Sequence, residues 1–326
     1  MRVLLPLLVL AFGGQVAALS EVPPAGAPRL LLLGTAGGPI PRLERSQPAS
    51  AIIAGGRVYL IDAGDGVLRQ MAAKHLRPGA VKALFLTHHH IDHIADVPAL
   101  MIDRWLLGNE PALDVYGPPG SAALVAGTLS AFRPVELAPV TIGGPPKPAL
   151  AAAAIGHDLS PELKQPRLVY EDGNVRVLAI GVDHYHYPAG SAEARASHSY
   201  AYRVEAGGKV FVFSGDTGPS EQLVTLAKGA DYLICEVIDI AKVEALVRSY
   251  PGFNAEQIPA LMSHMTADHL TGDQIGELAA AAGVKTVVLT HFSPGIDGEN
   301  NRDSYAAGIA KHFGGQVVLG RDLDEF

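Results

Sequence analysis

Short apolar runs bounded by glycine and proline alternate along this chain with stretches whose apolar positions recur every three or four residues. The runs read as buried strands, and the periodic stretches as helices with one apolar face. Strands are predicted over Arg29–Leu33, Ala51–Ala54, Arg57–Ile61 and Val81–Leu86, with Gly55-Gly56 as a hairpin turn. Val67–Leu76 has helical spacing, and Ile94, Val97, Leu100, Met101 and Leu107 form one helical face. Asp92 stands where the N-cap of that second helix belongs. A strand over Leu113–Tyr116 and a helix from about Ser121 to Phe132 follow, with Trp105 packing against this layer.

Arg133 to Arg167 is rich in proline and the least regular stretch. It reads as an exposed excursion or, more sharply, as a flap over a substrate. Beyond it come a strand (Val175–Val182), a hairpin (Ser199–Glu205 and Lys209–Phe213), a helix (Ser220–Lys228) and a strand (Tyr232–Cys235). Helical segments near Val243–Arg248 and Ala255–Met262 precede a helix at Asp273–Ala282 and a strand at Thr286–Leu289. A helix (Ser304–Phe313) and a strand (Gln316–Leu319) close the pattern. Strand–hairpin–helix units thus recur in both halves, and the pattern alone implies mixed α/β layering, with a single domain expected over 29–326.

Composition narrows this picture. The chain has 326 residues, 48% hydrophobic and 18% charged, which suits a folded globule with a large core. Its net charge is −8, and no run of five Lys/Arg occurs, so neither a nucleic acid nor an anionic membrane is expected as a partner. Met1-Arg2, the apolar run Val3–Phe12 and the small residues after it have the form of a secretory signal peptide. Residues 1–20 are assigned to it and 21–28 to a linker, giving a periplasmic or secreted protein with no membrane contact after cleavage. Cys235 is the single cysteine, so no intramolecular disulfide forms, and stability must come from the core and any metal. Homo-oligomerisation is left open.

The chemistry concentrates directly after the strand Val81–Leu86, at His88-His89-His90-Ile91-Asp92-His93. On extended chain His88 and His90 point to one side, and Asp92 and His93 follow round the corner. Imidazole and carboxylate are the ligands of Zn²⁺, and four are too many for one catalytic ion that must keep an open position. The spacing therefore suggests two metals. His184, Asp216, Glu236 and His291 each end an apolar strand, and four such ends imply one shared site. Two close cations need an anion between them, which makes Asp216 the natural bridge.

The His-x-His-x-Asp-His stretch resembles the metal motif of the metallo-β-lactamase superfamily. Glu236, His264-Met265-Thr266 and Tyr200-Ala201-Tyr202-Arg203 resemble elements of its ribonuclease Z/arylsulfatase branch. The resemblance implies an αββα sandwich of two mixed sheets flanked by helices, with two Zn²⁺ ions at one rim; Mn²⁺ or Fe²⁺ are the alternatives. It implies His88, His90 and His184 on one ion, Asp92, His93 and His291 on the other, and Asp216 between them. An insertion separates His184 from Tyr200, so His186 and His198 compete with His184 as the third histidine. Asp92, Glu236 and His264 are the expected catalytic residues. Glu236 and His264 would form the pair that protonates the leaving group, although Cys235 and Met265 depart from the family pattern.

A true β-lactamase would carry Cys within Ser214–Thr217, and the diiron branch would carry Glu in place of His90. The expected activity is therefore hydrolysis of small phosphate, sulfate or related esters by a metal-bound hydroxide in an exported enzyme. RNA cleavage of the ribonuclease Z type, lactonase or thioesterase activity, and a non-enzymatic metal-binding protein are the alternatives.

Overall fold

The computed structural model describes residues 26–108, 110–138, 147–252, 254, 256–297 and 302–326. The expected signal peptide, 1–20, and most of the linker lie outside these residues.

Two sheets carry the structure. The first contains β1 (Arg29–Gly34), β2 (Ala49–Ala54), β3 (Arg57–Ile61), β4 (Val81–Phe85), β5 (Leu113–Gly117) and β6 (Ala154–Asp158), in that spatial order. Strands β1 to β3 pair antiparallel, and β3 to β6 pair parallel. The second contains β7 (Arg167–Glu171), β8 (Val175–Val182), β9 (Ser199–Ala206), β10 (Lys209–Phe213), β11 (Tyr232–Ile238), β12 (Thr286–Ser293) and β13 (Gln316–Leu319), again in spatial sequence. It too begins antiparallel, from β7 to β10, and ends parallel. Each half therefore repeats one plan: hairpins first, then crossovers through helices.

Strand alternation explains why several strands are apolar throughout. Leu30 and Leu32 face the second sheet and meet a core of Tyr59, Phe85, Tyr202 and Phe213. Leu31 and Leu33 face the other way, toward Val67, Met71, Val97 and Leu100 on the outer helices. A strand buried on both faces needs apolar residues at every position. The second sheet is covered in the same manner by Leu223, Leu226, Ile275 and Leu278. The result is the expected four-layer αββα sandwich. Each fully buried Leu or Phe contributes about 1.5–3 kcal/mol. Trp105 packs against the first outer layer, as expected, and its indole N–H donates to Pro148 O at 2.9 Å.

Three expectations change. The stretch 133–167 is not wholly irregular, because β6 lies within it and extends the first sheet. Its Ala and Gly have poor strand propensity, and only parallel pairing with β5 makes it a strand. His157 there belongs to the scaffold, bonded to Asp114 at 2.8 Å and stacked on Tyr116. Asp92 does not cap the long helix. It lies in a separate turn of helix, Ile91–Ile94, while Asp96 precedes the helix Val97–Leu107. Finally, the helix expected near Ala255–Met262 runs over Gln257–Asp268, which puts His264 inside it.

Candidate active site

The C-terminal ends of β3, β4, β8, β10, β11 and β12 gather at one rim. Thr87 to His93 follow β4, His184 follows β8, and Asp216 follows β10. The turn before Asp216 depends on Gly215, whose φ is +59°. A Cβ there would lie 2.7 Å from Tyr200 O, so no larger residue fits. His291 is the extra residue of a bulge: Glu236 pairs with Thr290, Val237 pairs with Phe292, and His291 takes a φ of +44° between them. That left-handed backbone, costly for a non-glycine residue, turns the imidazole into the site.

Two ligand groups result. His88 Nε2 lies 3.0 Å from His90 Nδ1, which lies 3.2 Å from His184 Nε2. Asp216 Oδ2 is 3.7 Å from His88 Nε2. On the other side, Asp92 Oδ2 is 3.5 Å from both His93 Nε2 and His291 Nε2. Asp216 reaches this group as well, with Oδ1 3.5 Å from His93 Nε2 and Oδ2 3.2 Å from His291 Nε2. His88, His90, His184 and Asp216 thus converge as one set of donor atoms, and Asp92, His93 and His291 as another.

Neighbours fix which nitrogen faces inward. Asp62 Oδ2 lies 2.8 Å from His93 Nδ1, and Thr87 N–H and Oγ1 donate to the same carboxylate. His184 Nδ1 donates to Asp268 O at 3.0 Å. Both rings are left with Nε2 toward the centre, the tautomer a metal ligand needs. Asp92 Oδ2 also accepts from Gly38 N–H at 3.0 Å. A side chain at Gly38 would collide with Asp92, with Cβ only 2.3 Å away.

The charge states differ between the two groups. Burial holds His88 well below the usual imidazole range and pushes His184 down to about 3, so both offer neutral nitrogen. Burial also acts on His93 and His291, but Asp216 and Asp92 together outweigh it, and His291 rises to about 9. Burial would raise Asp92 and Asp216; the neighbouring His93 and His291 instead hold both carboxyls below their ordinary range.

His93 Nε2, His291 Nε2 and Asp216 Oδ1 are buried without a hydrogen-bond partner. Orphaned buried donors and acceptors are costly, and here they face one another. A pair of divalent cations shared across Asp216 would satisfy them, so the residues present fit two metal ions. His184, and not His186 or His198, occupies the third-histidine position. His186 bonds to Asp268, and His198 Nε2 lies 3.0 Å from Arg195 O.

The expected Glu236–His264 pair is not formed. His264 contacts Asp268 one helical turn along, on the exposed side of its helix. Glu236 instead holds His269, with Nδ1 to Oε2 at 2.7 Å, while its Oε1 accepts from Thr217 N–H at 2.7 Å. His269 is buried, its ring 5.1 Å from His184 and 6.1 Å from His291. Burial pushes it down to about 4. Sequence reasoning passes over it, yet a signal is present. Thr271 and Gln274 form a capping box, so the helix begins at Gly272 and leaves His269 on the loop. It is therefore His269, followed by Leu270 and Thr271, and not His264, that pairs with Glu236.

Two mixed sheets with a paired His/Asp metal set and a carboxylate–imidazole pair at one rim define a metal-dependent hydrolase. The chain belongs to the β-lactamase superfamily, whose domain model matches residues 57–292. It is 33% identical to ribonuclease Z of Mycolicibacterium paratuberculosis over 299 residues, covering 90% of this chain and 95% of that one. Ribonuclease Z of Mycolicibacterium gilvum is 32% identical, covering 90% and 93%. Among solved structures, the metallo-β-lactamase fold protein YhfI from Bacillus subtilis has a TM-score of 0.62 at 19% identity, over 92% of this chain and 99% of that chain. The short form of human tRNase Z has a TM-score of 0.61, also at 19% identity, over 91% and 98%.

These relatives overturn the expectation of a small-molecule ester with nucleic acid excluded, because proteins alike over nine-tenths of the chain are ribonucleases. The exclusion rested on the net charge of −8, and a whole-chain sum does not describe the potential of one surface.

Proposed function

We propose that this protein is an RNA phosphodiesterase of the ribonuclease Z type. The observation that carries the reading is the Glu236–His269 pair beside the metal set, in a chain one-third identical to ribonuclease Z over nearly its whole length. His88, His90 and His184 would hold one divalent ion, Asp92, His93 and His291 the other, with Asp216 between them. Such ions, when bound, polarise a phosphoryl oxygen and activate water at neutral pH. The protein's own groups do the rest. Glu236 anchors Nδ1–H of His269, which leaves Nε2 to hand a proton to the departing oxygen. Nε2 would first take that proton from solvent, and the Glu236 carboxylate would steady the resulting imidazolium against the burial that disfavours it.

The test is direct. Metal-loaded protein is incubated with a labelled RNA and with DNA of the same sequence, with and without a chelator. Cleavage of RNA that the chelator abolishes is expected. Intact RNA under metal-replete conditions would defeat the reading.

Export is a separate proposal, carried by the apolar run Val3–Phe12 alone. Protein isolated from the cell exterior or periplasm should begin near Leu19 or Ser20. An intact Met1 in a cytosolic fraction would overturn it.

A further inference from the structure

The stretch between His184 and the Tyr200–Arg203 segment is longer here than the family pattern leads one to expect, and it opens with Tyr185-His186-Tyr187-Pro188. His186 turns to one side and bonds to the buried carboxylate of Asp268, whose backbone carbonyl also holds His184. Tyr185 and Tyr187 turn to the other and stack on each other, with centroids 5.7 Å apart and planes 14° from parallel. Tyr185 in turn meets His90 edge-on at 5.3 Å and His184 at 4.7 Å. A ladder of rings therefore climbs from the metal set to the surface. It ends at Tyr187, which keeps 41% of its surface exposed, and one face of its ring has no ring partner among the described residues.

Isolated exposed aromatics are common and need no explanation. This one is fixed differently, since His186 pins the segment to the element that orients a metal-set histidine. Proline follows Tyr187 and limits the backbone there. A flat, half-exposed ring two steps from His90, backed on one face by Tyr185, matches what an unpaired nucleobase needs, because every base offers a π-face.

We propose that Tyr187, backed by Tyr185, is a stacking platform for one nucleobase of the RNA strand beside the scissile phosphate. The proposal rests on the RNA phosphodiesterase reading and names a positioning residue for it. Since stacking ignores base identity, the platform should fix register on the strand without selecting sequence.

The experiment couples a protein change to a substrate change. Steady-state KM and kcat are measured with wild type, Tyr187→Ala and Tyr187→Phe on an RNA oligonucleotide, and on versions with an abasic nucleotide at each position around the cut. Tyr187→Ala should raise KM roughly tenfold, the size of one base–aromatic stack, and Tyr187→Phe should restore it because the ring is kept. At one abasic position wild type and Tyr187→Ala should converge. Metal content, measured alongside, should be equal in all three proteins. RNA cleavage with no position at which the two defects converge would overturn the platform alone, as would a Tyr187→Phe protein as poor as Tyr187→Ala. Failure of wild type to cut any RNA would remove the functional reading and the platform with it.

Discussion

His269 Nδ1 lies 2.7 Å from Glu236 Oε2, whereas His264, five positions earlier, turns away to Asp268. The two histidines can therefore be told apart by leaving group. General acid catalysis typically contributes about 10²–10⁴-fold, and only where the departing oxygen needs a proton. His269→Ala should lose much of that factor on RNA, and far less on a phosphodiester probe releasing nitrophenolate, with metal retained. His264→Ala should show no such dependence on leaving group. Rates on both substrates for both variants check this, and equal losses for His269→Ala would rule the acid role out.

Asp216 touches both donor groups, so its loss should not resemble the loss of a ligand that serves one. Wild-type protein should contain about two divalent ions per chain. Asp216→Ala should lower the occupancy of both sites, and His291→Ala mainly that of one. Elemental analysis after gel filtration reads this out; a single ion in saturated wild type contradicts the paired arrangement.

Asp62 was not foreseen as part of the site, yet it holds His93 Nδ1 at 2.8 Å and is itself held by Thr87. Removing such an outer partner typically costs about 10–100-fold in metal affinity. Asp62→Ala should show that loss in a competitive chelator titration while keeping the far-ultraviolet spectrum of the folded protein. Unchanged affinity would show that the bond does not govern His93.

Asp172 ties the sheets together at the end of β8 away from His184. It accepts from Tyr59 of the first sheet at 2.7 Å, Tyr170 of the second at 2.8 Å, and Asn174 N–H at 2.8 Å. Burial would raise its pKa, but these bonds outweigh that and lower it. A depressed folded value means stability present above the unfolded carboxyl pKa and lost as pH falls through the folded one. Asp172→Asn should cost on the order of 1–2 kcal/mol at pH 7, since the group stays partly solvated. The deficit should shrink in denaturant titrations as pH falls below the ordinary carboxylate range and wild-type Asp172 becomes protonated too. A deficit independent of pH would assign the loss to packing.

Much of the centre was legible because its chemistry is local in sequence. His88 to His93 sit on one strand end and its turn, and Asp216, His184 and His291 each follow an apolar run. What stayed hidden depends on tertiary context. β6 is built from Ala, Ile and Gly that become a strand only beside β5. The helix Gln257–Asp268 outruns its apolar pattern, and that extension moved His264 out of the site. Asp62 lacks any motif, and its place follows from the left-handed turn after β3, with φ +59°.

The bulge at His291 has a wider meaning. Glu236 occupies the last regular pair before it, and His291 is the residue left over. The separation between Glu236 and His291 is therefore written into backbone pairing and not into rotamers. Substitutions in the surrounding loops leave that pairing, and so that separation, in place. Selection is thus free to exchange substrates while the reaction geometry is inherited intact.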